Sequence, residues 1–80
     1  MKCVYLIRSK SALHWRYVGV TSNLEERLRA HNAGTSPHTS KYRPWELVTY
    51  LWFQDDQRAI DFERYLKSGS GRAFANKRLW

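Results

Sequence analysis

Cys3 is the only cysteine in the chain, so no intrachain disulfide can form and a reducing compartment is expected. Long hydrophobic runs are missing as well. The apolar stretch Cys3-Val4-Tyr5-Leu6-Ile7 ends at Arg8. That is too short for the core of a signal peptide or for a membrane span, and a cytoplasmic protein is expected, nucleoid-associated in a bacterium. Four glycines and two prolines are too few for a low-complexity or disordered chain. Acidic residues are the last shortage. Seven Asp and Glu against fourteen Lys and Arg leave a net charge of +7. Such an excess points to an anionic partner, nucleic acid first and an anionic membrane surface second.

What is present is apolar and aromatic: 42% and 15% of 80 residues. The length allows one domain, residues 1–80, and a chain this short buries about 60% of its unfolded surface. Residues 3–7 read as a central strand covered on both faces, 9–14 as a turn, and 15–20 as a second strand that pairs with the first. Ser22 and Glu25 form the S-x-x-E box that opens a helix, Leu24 and Leu28 mark its buried side, and Gly34 stops it. Residues 35–44 form a polar loop with a proline near each end, and 46–53 a third strand. A second helix capped by Asp55 or Asp56 runs to about Ser68. Ser68-Gly69-Ser70-Gly71 reads as its glycine-rich end, with a short final helix over 72–80. The order is β-β-α-β-α-α, an α+β fold with helices flanking a small three-stranded, mostly antiparallel sheet.

Three side chains break the amphipathic pattern. Glu63 falls inside the apolar arc of Ala59, Phe62 and Leu66, where an unpartnered carboxylate would cost several kcal/mol. It therefore needs a cation, such as a buried arginine, a metal or a water-filled cleft beside it. Arg27 and His31 lie one turn apart, on or next to the buried side of the first helix. Alone, each has an ordinary explanation: a snorkelling arginine, a hydrogen-bonded core histidine. Together they are evidence for a site. Strand parity adds two phenols, because Tyr5 shares a face with Cys3 and Ile7, and Tyr17 one with Trp15 and Gly19. Gly19 leaves space where no side chain fits. His14, His31, His38 and Cys3 have no zinc-ligand spacing, and no nucleophile elbow or phosphate loop is present.

"CVYLI", "YVG", "NLEERLRAH", a glycine loop, "ELVTYLWF" and "AIDFERYLK", in that order, resemble the GIY-YIG nuclease domain across nearly the whole chain. The resemblance places Val4-Tyr5 in the first motif and Tyr17-Val18-Gly19 in the second. It matches Arg27, His31 and Glu63 to the family's Arg, His and metal-binding Glu, and Asn76 to the Asn near the domain's end. Cys3 replaces a glycine, and Val20 stands where some members carry a lysine. The resemblance implies a metal-dependent endonuclease that hydrolyses DNA phosphodiester bonds, structure-selective or weakly sequence-selective, in repair, recombination or processing. Glu63 would hold Mg²⁺ or Mn²⁺, Arg27 would stabilise transition-state charge, and Tyr17, ahead of Tyr5, would address the water, with His31 as the alternative proton acceptor. Lys41, Arg43, Arg72, Lys77 and Arg78 would track the backbone of nucleic acid, DNA before RNA. No membrane partner is expected, and a homodimer or a partner protein would supply specificity. The alternative is a nucleic-acid-binding module of the same fold that does not cut.

Overall fold

The middle strand organises the domain. In the computed structural model, which describes residues 1–80, β1 (Lys2–Ser9) lies between β2 (Arg16–Thr21) and β3 (Trp45–Phe53), and both pair with it antiparallel. Three helices complete the expected order: α1 (Leu24–Ala33) between β2 and β3, then α2 (Asp56–Leu66) and α3 (Gly69–Arg78). Residues 3–7 are each at most 1% exposed, because helices cover both faces of the sheet. Strand alternation divides their side chains. Val4 and Leu6 pack with Ala59, Leu66 and Ala75 of α2 and α3, whereas Cys3, Tyr5 and Ile7 pack with Trp45 and, from α1, Leu24 and Leu28. Each aliphatic side chain buried this way is worth about 1.5–3 kcal/mol.

Two boundaries differ from the expectation. The cap of α1 is Asn23, not Ser22. Asn23 Oδ1 accepts from the Glu26 N–H at 3.1 Å, and its Nδ2 donates to Glu26 Oε2 at 3.2 Å. Both 22–25 and 23–26 have a capping residue three before a glutamate, but pairing of Thr21 with Cys3 keeps the chain extended too long for Ser22 to serve. Ser22 instead accepts a hydrogen bond from Lys2 Nζ at 3.1 Å. Gly34 closes α1 as expected, in the left-handed region at φ 81°.

The second correction concerns Ser68 to Gly71, which opens α3 rather than closing α2. Lys67 caps α2, and Ser68 Oγ accepts from the Gly71 N–H at 3.2 Å. The reason lies in the sharp α2–α3 corner. A Cβ at Gly71 would overlap the Tyr65 carbonyl oxygen and the Leu66 Cα. Backbone cannot swing aside as a side-chain tip can, so Gly71→Ala should cost about 1–3 kcal/mol despite alanine's better helix propensity. Gly69, where an added Cβ meets nothing within 4 Å, is the internal control. Thermal melts should show Gly71→Ala lowered by about 4–8 °C per kcal/mol and Gly69→Ala unchanged or raised. A Gly71→Ala protein melting with the wild type would contradict the tight corner.

Candidate active site

Tyr5, Tyr17, Arg27 and His31 meet on the α1 face of the sheet. The register sets Tyr5 opposite Gly19 and Ile7 opposite Tyr17, which brings the two phenols together, ring centroids 6.3 Å apart. Gly19 is required here: a Cβ on it would occupy the position of the Tyr5 ring tip and hydroxyl. From α1, His31 reaches Tyr5, with Nε2 2.8 Å from the phenol oxygen, and its ring meets Tyr17 edge-on at 5.1 Å. One turn earlier, Arg27 Nε donates to the same Tyr5 oxygen at 3.4 Å. The i, i+4 spacing of Arg27 and His31 thus delivers two nitrogens to one phenol.

The network continues through a residue that periodicity could not identify. His31 Nδ1 lies 2.6 Å from Thr39 Oγ1, and the Thr39 carbonyl accepts from Trp45 Nε1 at 2.8 Å. Thr39 is buried, 1% exposed, although it comes from the polar loop. The one available signal was the prolines flanking that loop, since a fixed loop can place a hydroxyl. His31 is fully buried, and burial followed by the nearby Arg27 charge lowers its pKa to about 4. The ring is therefore neutral near pH 7, with one nitrogen donating and one accepting. Burial also raises the Tyr5 pKa, opposed by the Arg27 hydrogen bond. Arg27 itself is held more firmly protonated, chiefly by that bond to Tyr5 and further by Tyr17.

Glu63 does not share this face. It belongs to α2, which packs on the other side of the sheet. Its field nevertheless reaches the Tyr5 phenol, and it is the one carboxylate that contributes to the Tyr5 shift. Its side chain is 17% exposed and pairs with Lys67, which is 53% exposed. The apolar-arc anomaly thus resolves into an ion pair open to solvent, with lysine as the partner. Between β2 and the α2–α3 corner lies a cleft of about 370 Å³, bordered by Tyr17, Lys67, Arg72 and Asn76 among others. Asn76 accepts from Arg16 Nη2 at 2.9 Å, and the Arg16 guanidinium covers the Trp80 ring at 4.6 Å. Tyr17 borders this cleft and also touches His31, so it connects the two halves of the site.

The surface cations divide into several groups. Arg72 borders the cleft, and Lys77 and Arg78 are exposed on the last turn of α3. Lys41 lies over the Tyr42 ring at 5.6 Å. Arg43 does something different: its Nη1 donates to the Ala33 carbonyl at 3.1 Å, packing on Gly34 at the end of α1. That contact satisfies a helix-terminal carbonyl. As for metal, no three His, Cys, Asp or Glu side chains gather anywhere in the fold. Glu63, a single partly buried carboxylate whose partner Lys67 borders the cleft, is a donor set suited to Mg²⁺, which keeps several waters and takes few protein ligands.

Comparison with known proteins agrees with this arrangement. The GIY-YIG catalytic domain, as a family model, matches residues 1–78. A UPF0213 protein of Clostridium perfringens is 35% identical over 68 residues, covering 84% of this chain and 71% of its own length. Structure-specific endonuclease subunit SLX1 of Debaryomyces hansenii is 37% identical over 71 residues, 80% of this chain but 20% of that subunit. With Tyr5, Tyr17, Arg27 and His31 gathered on one sheet face, and the match running from end to end, the chain belongs to the GIY-YIG family of nuclease catalytic domains.

Proposed function

We propose that the protein is a divalent-metal-dependent endonuclease that hydrolyses DNA phosphodiester bonds with structural or weak sequence selectivity, in repair, recombination or processing. The observation that carries this reading is the hydrogen-bonded chain Arg27–Tyr5–His31–Thr39, with Tyr17 against His31 and bordering a cleft that Arg16, Lys67 and Arg72 also line. Buried polar chains of this kind are costly unless fully satisfied, and here every member has its partner.

The chain suggests how the roles are divided. With Nδ1–H donating to Thr39, His31 Nε2 is left to accept the Tyr5 proton, while Arg27 donates to the same phenol oxygen. Tyr5, rather than Tyr17, then takes the proton of the attacking water as its own proton passes to His31. The step requires substrate to open a path to the phenol, which is 1% exposed in the free protein. Tyr17, half-buried at the mouth of the cleft, positions that water. A histidine with pKa about 4 is a weak acceptor at rest. A phosphate beside Arg27 would offset the repulsion from its guanidinium, the second cause of that depression, and raise the imidazole's basicity when substrate is present. Arg27 also faces the charge that grows on the phosphoryl oxygens. Asn76 and Arg72 line the path of the strand. Glu63 would hold Mg²⁺ or Mn²⁺, which when bound polarises the phosphoryl oxygen and eases departure of the 3′-oxygen.

Wild-type protein should nick duplex, branched, nicked or single-stranded DNA in a panel titrated with Mg²⁺ or Mn²⁺, and excess EDTA should stop it. RNA belongs in the same panel, because the catalytic residues alone do not choose between the sugars. One observation favours a second reading, a binding module that does not cut: Lys67 already neutralises Glu63. Salt-dependent DNA binding without turnover at any metal concentration would establish that reading and sink the first.

A further inference from the structure

Charge is segregated along this chain. No Asp or Glu occurs from Met1 to Leu24, or from Arg27 to Trp45. The fold brings the loops of those two acid-free stretches together. Ser9 Oγ donates to the Tyr42 carbonyl at 2.6 Å, and the Lys10 N–H donates to the Pro44 carbonyl at 2.9 Å. Where the loops meet, Trp15 stacks on Tyr42 with centroids 4.3 Å apart and planes 14° from parallel. Lys41 lies over the Tyr42 ring.

Trp15 is 44% exposed and belongs to neither core cluster. Tyr42 covers one face of the indole. His14, at 5.9 Å and 42°, is too far and too tilted to cover the ring in the same way. A large, rigid, exposed aromatic plane amid cations, with no carboxylate on either loop, fits a nucleobase better than an acidic or apolar protein surface. Its position is informative too. Trp15 precedes β2, two residues before Tyr17 and on the same side of the sheet, a step of about 7 Å along the strand. A strand crossing the catalytic residues would pass the indole within its neighbouring nucleotides.

We propose that the Trp15–Tyr42 stack is a platform for an unpaired base next to the scissile phosphate, and that the preferred substrate is therefore nucleic acid with an unpaired nucleotide beside the cleavage site. The proposal rests on the nuclease reading above and deepens it. In a paired duplex each base face is already stacked on its neighbours, so an unpaired base has the exposed π-face that the indole requires.

The test is equilibrium binding in EDTA, where the nuclease reading predicts no cleavage. The probes are a blunt duplex and the same duplex carrying a short single-stranded extension. Wild-type protein should prefer the extended probe. In Trp15→Ala the ratio of the two affinities should fall about tenfold, as expected for loss of one stacked base, whereas Trp15→Phe should keep most of it. Trp15→Leu, which keeps an apolar cover over Tyr42 but has no aromatic plane, should behave like Trp15→Ala and decides the matter if the alanine variant fails to fold. Equal binding of the two probes by wild type, or an undiminished ratio in Trp15→Leu, overturns the proposal. Cleavage is read separately, so a protein that cuts blunt duplex yet ignores the extension loses this proposal and keeps the nuclease reading.

Discussion

Glu63→Ala protein should fold with near-wild-type stability and lose nicking at every Mg²⁺ concentration. The two halves of this expectation have separate physical grounds. The carboxylate pairs with Lys67 at i, i+4, and that lysine is half exposed. Exposed pairs at this spacing contribute about 0.3–0.5 kcal/mol, so releasing Lys67 to solvent should move the melting temperature by no more than a few degrees. Chemistry is a different matter. Glu63 is the one carboxylate among the causes of the Tyr5 shift, and the smallest of them, and no cluster of alternative ligands stands in reserve. Loss of metal-assisted charge stabilisation is worth several kcal/mol, a rate reduction on the order of 10³. Initial nicking rates at matched protein concentration, with thermal melts of the same preparations, measure both halves. Residual cleavage within tenfold of wild type would remove Glu63 from its role, and a collapse of stability would show that the side chain is structural.

The face that gathers Tyr5, Tyr17, Arg27 and His31 was legible where periodicity governs side-chain direction. Alternation in β1 and β2 places Tyr5 and Tyr17 on one face, and the helical repeat brings Arg27 and His31 to meet them, as the register shows. Glu63 was legible as an anomaly, but not its partner, because an i, i+4 lysine at the edge of an apolar arc looks like any solvated side chain. Thr39 was hidden for a stricter reason: loops have no period, and a threonine between two prolines carries no sign of burial. The same holds for Arg43, whose contact with Ala33 depends on how the loop returns to the end of α1. At the α2–α3 corner, a glycine pair suggested a helix end. It was instead required by backbone-to-backbone proximity at Gly71, which composition cannot reveal.

The buried histidine should also make the fold sensitive to mild acid. In the folded protein His31 has a pKa near 4, against an ordinary value of 6.5. The causes are burial first and Arg27 second, and its two direct partners, Tyr5 and Thr39, are both uncharged at neutral pH. Because the folded value lies below the unfolded one, the unfolded chain takes up a proton first as pH falls. Stability is therefore constant above about pH 6.5, declines between 6.5 and 4, and loses about 3 kcal/mol across that window. For a domain this small the melting temperature should drop by on the order of 10 °C or more. Asp56 is held below the usual carboxylate range, first by its bond to the N-terminal amino group. It titrates below this window and does not imitate the effect. His31→Gln should melt lower than wild type at pH 7, because the imidazole's fit between Tyr5 and Thr39 is lost, yet show a flattened slope from pH 6.5 to 4. Urea melts of both proteins at closely spaced pH values, with the His31 ring titration followed by NMR, read the difference. A wild-type profile that stays level down to pH 5 with His31 protonating near 6.5 would mean that the ring is solvated, and with it the Tyr5–His31–Thr39 chain would lose its closed setting.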